Sequence, residues 1–201
     1  ISLNINGTSK SLGGLKPYTI CKNGLARTFQ NIRLFKDLTV LDNVRIAMHK
    51  NIKYGLISSF FHLPSYKREE AELVKESMEL LQILKLDHKK DELAKNLPYG
   101  EQRHLEIARA LATNPSLLLL DEPAAGMNPK ESEDLTIFIK EIRDEFDLTV
   151  FLIEHHMQVV MGISDRIYVL DYGITIAKGN PYEIQNNQRV IEAYLGVDEY
   201  A

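Results

Sequence analysis

Residues 97–123 read Leu-Pro-Tyr-Gly-Glu-Gln-Arg-His-Leu-Glu-Ile-Ala-Arg-Ala-Leu-Ala-Thr-Asn-Pro-Ser-Leu-Leu-Leu-Leu-Asp-Glu-Pro, and this stretch decides the fold. A glycine turn at Gly100 opens an amphipathic helix over 102–113, with Leu105, Ala108, Leu111 and Ala112 on one face. Asn114-Pro115 ends it. The four leucines at 117–120 suit a strand buried on both faces. Asp121-Glu122 then stand where that strand leaves the sheet, the edge at which open α/β sheets bind ligands. Adjacent carboxylates there suit a bound cation and an activated water, and the combination reads as nucleotide hydrolysis.

Downstream, residues 129–146 form a helix with Leu135, Phe138, Ile139 and Ile142 inward and Asn128-Pro129 as cap and first turn. Residues 149–153 are the next apolar strand. The two strands and the helix make a β-α-β unit, so the strands are expected to be parallel. Asp121-Glu122 and Glu154-His155 then open onto one sheet edge. Strands at 167–170 and 174–177 flank Asp171-Tyr172-Gly173 as a hairpin, and 180–183 resembles a helix-start box.

Upstream, residues 1–6 alternate like a strand and end at the turn signal Asn6-Gly7. A loop at 13–17 leads to a short helix, and 25–30 is a strand candidate. A helix starts near Asp37, and 51–66 reads as an irregular connection. Residues 67–84 form a helix with Ala71, Val74, Met78 and Leu81 as its stripe, and 87–97 a further short helix. The near-purely helical stretch 36–113 is expected to be a lobe inserted into an α/β core made of 1–35 and 114–201.

With 201 residues, 44% of them hydrophobic, the chain can bury a real core. Its formal net charge of −4 offers no basic footprint for nucleic acid. No apolar run approaches the roughly 18 residues of a spanning helix, and no signal peptide opens the chain. The one cysteine, Cys21, fits a reducing compartment and reads as a small packed residue rather than a nucleophile.

Residues 117–123 look like the Walker B strand of an ABC transporter ATPase, and Leu97–Glu101 stand where that family has its signature motif. Phe29-Gln30 resembles its Q-loop, 125–128 its D-loop and His155 its switch histidine, in the family's order. Residues 26–35, 124–129, 153–155, 161–166 and 190–196 are similar to the LivG type of branched-chain amino acid importer subunit. The resemblance covers essentially the whole chain. It implies an α/β P-loop NTPase core, mainly parallel sheet, with an inserted helical lobe.

By that resemblance Asp121 and Gln30 hold Mg2+, Glu122 polarises the attacking water, and His155 and Gln30 complete the catalytic set. Tyr99, Gly100, Glu101 and Asn128 would contact ATP as the signature and D-loop side, with Gln30, Asp121 and His155 on the other. Alone, Gly100 is also what an ordinary turn into a helix requires, and Gln30 what a surface strand end tolerates. His156 is a rival for the switch role, but strand exit favours His155. A zinc site at His155-His156 is disfavoured, because the pair lacks the separation and further ligands of such sites. Pro98, Tyr99 and Glu101 depart from the common Leu-Ser-Gly-Gly-Gln, and Pro98 has neither hydroxyl nor N–H. Asn128 replaces the aspartate most common in the D-loop.

Nowhere does the chain contain G-x-x-x-x-G-K-S/T, the phosphate-cradling loop. The expectation is a chain truncated upstream of that loop and its strands, and hydrolysis by this chain alone is not expected. A degenerate subunit is the alternative, disfavoured because Glu122 and His155 remain in place. The implied function is an ATP-binding, ATP-hydrolysing importer subunit, pairing head to tail with an identical or paralogous ATPase subunit. Permease subunits would grip it through Gln30–Phe35 and the helical lobe, on the cytoplasmic face of the membrane. The alternative is a non-catalytic module that donates only its signature turn to a partner's ATP. A DNA-repair type of ABC ATPase is disfavoured by the acidic charge and the lack of a long coiled-coil insertion.

Overall fold

The computed structural model describes residues 2–5, 7–49 and 55–195. Asn6, the first residues of the 51–66 connection and Gly196 of the last family block lie outside these. The chain divides into two compact units, 1–153 and 154–201.

The first unit is built on a three-stranded parallel sheet of β3 (Leu25–Arg27), β4 (Leu117–Asp121) and β5 (Thr149–Ile153), in that order. Leu117 pairs with Leu25 on one side and Thr149 on the other, and Asp121 with Ile153. The expected parallel β-α-β unit is present, with α6 (Pro129–Glu145) between β4 and β5. Asn128 and Glu131 form a full capping box at its start, and Leu135, Phe138, Ile139 and Ile142 are its buried residues. The leucine run is less symmetric than expected. Leu118 and Leu120 are wholly buried, while Leu117 and Leu119 are half-buried on the other face.

Four local expectations change. The β3 strand stops at Arg27 instead of Gln30, because the carbonyls of Phe29 and Gln30 accept hydrogen bonds from Arg103 and leave the ladder. Residues 1–11 form a hairpin, β1 (Ser2–Ile5) and β2 (Thr8–Ser11), with Gly7 at φ 78° in its turn. The 51–66 connection contains α3 (Leu56–Phe60), and α4 (Pro64–Ile83) starts earlier than expected, since a proline at the first helical position lacks only an N–H that would have no partner. Residues 87–97 form two 3-10 turns, Asp87–Lys89 and Ala94–Asn96, not a helix. The carbonyls of Lys90 and Glu92 are taken by the N–H groups of Leu41 and Val40 at the start of α2 (Val40–Met48), so they cannot close helical turns.

The stripe of α4 is also rotated: Leu73, Ser77, Leu80 and Leu81 are buried, and Ala71 is exposed. Ser77 is tolerated inside because its hydroxyl donates to the Leu73 carbonyl at 2.6 Å. On α5 (Tyr99–Leu111) the expected face of Leu105, Ala108, Leu111 and Ala112 is buried. The helix begins at Tyr99 because the Gln102 N–H reaches the Pro98 carbonyl at 2.9 Å. Cys21, on α1 (Pro17–Lys22), is half-buried.

The second unit contains α7 (Met157–Ile163), the antiparallel hairpin β6 (Ile167–Asp171) and β7 (Ile174–Gly179), α8 (Pro181–Gln185) and α9 (Gln188–Leu195). Tyr172 and Gly173 both have positive φ, as a tight hairpin turn requires. Asn180 and Glu183 form a second capping box. A Cβ on Gly179 would stand 2.5 Å from Glu183 Oε2, so glycine there lets the capping carboxylate fold back. Ile167, Ile184 and Val190 are the core of this unit.

His104 on α5 stacks on Phe138 of α6, with ring centroids 4.0 Å apart. Burial holds its pKa below the ordinary 6.5, opposed by Glu101 and Asp134 and reinforced by Lys85. The unfolded chain therefore takes up this proton first, so stability is lost as pH falls through the ordinary histidine range. Urea unfolding between about pH 8 and about pH 5.5 should show a midpoint falling on the acid side, and His104→Gln should flatten part of that fall.

Candidate functional site

The parallel ladder places the ends of β3 and β4 side by side, and the Thr28 N–H extends the pairing to the Leu119 carbonyl at 3.0 Å. Two residues beyond it, Gln30 Nε2 donates to Glu122 Oε2 at 2.7 Å. Sequence reasoning named both residues, and the fold brings them together. Glu122 has φ 43°, in the left-handed region. Such a backbone costs a non-glycine residue on the order of 1–3 kcal/mol. It is held by the Glu122 N–H on the Ile153 carbonyl at 2.9 Å and by the Ala125 N–H on the Glu122 carbonyl at 3.1 Å.

Asp121 ends β4 beside Arg27, whose guanidinium meets its Oδ2 at 2.9 Å. Arg27 is half exposed, so the pair is a solvated contact of small energy. Sequence reasoning did not name Arg27. Asp121 and Gln30 offer a carboxylate and an amide carbonyl, the hard oxygen donors that suit Mg2+. Gln30 turns its amide nitrogen to Glu122, so its oxygen is the atom suited to a cation. The residues fit the ion.

At the start of α5, where the sequence resembles the signature motif, Pro98 caps the helix without a side-chain hydrogen bond. The Tyr99 hydroxyl donates to the Ala125 carbonyl at 3.0 Å, tying this turn to the segment 125–128. Glu101 is paired with Lys89 at 2.6 Å. A Cβ on Gly100 would meet nothing within 4 Å, and its φ is not in the left-handed range. Neither packing nor backbone conformation requires glycine there, whereas close approach of a ligand to the backbone would. Asn128 uses its side-chain oxygen on the Glu131 N–H at 3.0 Å, as a helix cap.

His155 belongs to the second unit, two residues past the end of β5. Donor atoms of Glu154, His155 and His156 lie within 4.8 Å of one another. Glu154 Oε2 already accepts from the His155 and His156 N–H groups, at 2.9 and 3.1 Å, and contacts His156 Nδ1 at 2.9 Å. A carboxylate only accepts, so the proton of His156 belongs on Nδ1. The buried carboxylate thus orients His156, and His155 is the more exposed ring.

Three charged residues of α5 escaped the sequence reading. Arg103 is fully buried and donates to the carbonyls of Phe29 and Gln30, each at 2.8 Å, and to Glu106 at 2.6 Å. Glu106 accepts from the Arg33 N–H at 3.0 Å, and Arg109 donates to the Arg33 carbonyl. Their signal was a charged row at three-residue spacing beside an apolar stripe.

The family described as "ABC transporter" matches residues 2–125, well over half of the chain. The chain belongs to that family. A second family, "Branched-chain amino acid ATP-binding cassette transporter", matches residues 175–200. The ABC chain is 46% identical over 187 residues to the high-affinity branched-chain amino acid transport ATP-binding protein LivG of Salmonella typhimurium, covering 93% of this chain and 73% of LivG. It is 43% identical over 187 residues to BraF of Pseudomonas aeruginosa, a protein of the same description, covering 93% and 73%. Among solved structures, the ADP conformation of an ABC transporter's ATP-binding cassette matches with TM-score 0.75 and 32% identity, over 93% of this chain and 74% of that one. The expected ABC ATPase fold is thereby shown. Among the described residues, no helix of this ABC chain is long and apolar enough to cross a membrane.

The capping box gives a direct check on the entry from residues 125–128 into α6. Asn128→Ala should lower unfolding stability by about 1 kcal/mol in urea titrations.

Proposed function

We propose that the chain is the ATP-binding, ATP-hydrolysing subunit of an importer for branched-chain amino acids. The observation that carries this is the Gln30–Glu122 hydrogen bond at the joined ends of β3 and β4. It sets a carboxylate acceptor beside a carbonyl donor for a cation, at the sheet edge where nucleotides bind. The similarity to LivG and BraF supports the solute class.

In this reading Glu122 accepts a proton from the attacking water, and Gln30 holds the Glu122 carboxylate in place. Asp121 and Gln30 would hold Mg2+, which would supply positive charge opposite that of the phosphates. His155 takes the family's switch-histidine role on the resemblance of residues 153–155 alone. The turn Tyr99–Glu101 and Asn128 serve the ATP of a second ATPase subunit packed head to tail. Helices within 36–113 form the lobe that meets the permease, together with Gln30–Phe35. Phe29 and Phe35 are both exposed there, with Arg33 over the Phe29 ring at 4.2 Å and Arg109 over Phe35 at 4.7 Å. The subunit then sits on the inner face of the membrane.

In the assembled transporter, Glu122→Gln should retain ATP binding and lower turnover by about a hundredfold or more. Turnover equal to the unsubstituted protein in a phosphate-release assay would overturn the assignment of Glu122.

A further inference from the structure

The α5 helix ties up the backbone that bears Gln30. Arg103 bridges the carbonyls of residues 29 and 30 with its two terminal nitrogens, at 2.8 Å each. Its charge is balanced in the interior by Glu106, and the pair is 0% and 6% exposed. Glu106 in turn accepts the Arg33 N–H, and Arg109 donates to the Arg33 carbonyl. One helix thus binds three carbonyls and one N–H of the segment 29–33.

On its other side this segment meets the sheet. The Thr28 N–H still belongs to the ladder, bonded to the Leu119 carbonyl. The transfer from sheet to helix therefore occurs across the single step from Thr28 to Phe29. Beyond it, the link back to the sheet edge described here is the exposed Gln30–Glu122 hydrogen bond. Hydrogen bonds to a buried, paired guanidinium are far costlier to break than one exposed side-chain contact. If α5 shifts against the sheet, the Gln30–Glu122 contact yields and the clamp holds. The N-terminal turn of α5 is Tyr99–Glu101, so the same rigid helix has the signature turn at one end and the clamp one turn further on.

We propose that Arg103, supported by Glu106 and Arg109, is a positioning residue that makes Gln30 move with the signature helix, so that engagement of the signature turn sets the Gln30–Glu122 contact. This rests on the proposed role of Gln30 and Glu122 in hydrolysis. Lysine keeps the charge of Arg103 but cannot bridge two carbonyls as a planar fork does.

The test is a double-mutant cycle on ATP turnover by the ATPase assembled with its permease in proteoliposomes. Arg103→Lys should lower kcat by about tenfold with KM for ATP within about twofold. In a Gln30→Ala background, the same substitution should change kcat by less than about twofold, because its route to the site is already gone. An equal loss in both backgrounds, or a change in KM alone, would overturn the inference while leaving the roles of Gln30 and Glu122 intact. Gln30→Ala with undiminished turnover would overturn those roles and this inference together. If Arg103→Lys loses cooperative unfolding, Glu106→Gln takes its place in the cycle with the same expected outcomes.

Discussion

Parallel pairing of β3, β4 and β5 is the constraint from which the rest of the first unit follows. Parallel strands cannot be joined by tight turns, so each ends at the same edge and is followed by a long excursion. That geometry sets Gln30 beside Glu122 although 92 positions separate them. It also explains where strain is tolerated. Glu122 leaves β4 in a left-handed backbone, and the Ile153 carbonyl of the neighbouring strand holds it there.

Buried charge is the second organising element. Arg103 is wholly inside the protein, a position that a guanidinium occupies at low cost only when its charge is paired and its donors find acceptors. Glu106 and two backbone carbonyls meet its two terminal nitrogens, Nε finding no hydrogen-bond partner among the described residues, and the result ends β3 at Arg27. The same helix presents Tyr99 to the carbonyl of Ala125. A single α-helix therefore touches both the 29–33 segment and the turn at Ala125 of its own chain.

Much of this was legible beforehand, and the misses share a cause. Helices α5 and α6 were readable because apolar side chains at helical spacing, caps and a terminal Asn-Pro agree with one another. The hairpin turn at Tyr172-Gly173 and the Asn180–Glu183 box were readable because turn and cap chemistry is local. Residues 87–97 were misread because their carbonyls are claimed by distant N–H groups near Val40. The stripe of α4 was misplaced because Ser77, polar by type, hides its hydroxyl on its own helix. Arg103 was missed because a charged residue reads as solvent-facing until its partners are known.

By itself, the sequence determined the family, the strand-to-carboxylate junction at Asp121-Glu122 and the order of the motifs, because each depends on local patterning and on residues a few positions apart. Only the tertiary structure decided that Gln30 bonds Glu122, that Arg27 pairs with Asp121 and that Arg103 claims the backbone of residues 29 and 30. These contacts join segments more than seventy residues apart. They depend on strand register and on the desolvation of a buried charge, and neither is set by any short window of sequence.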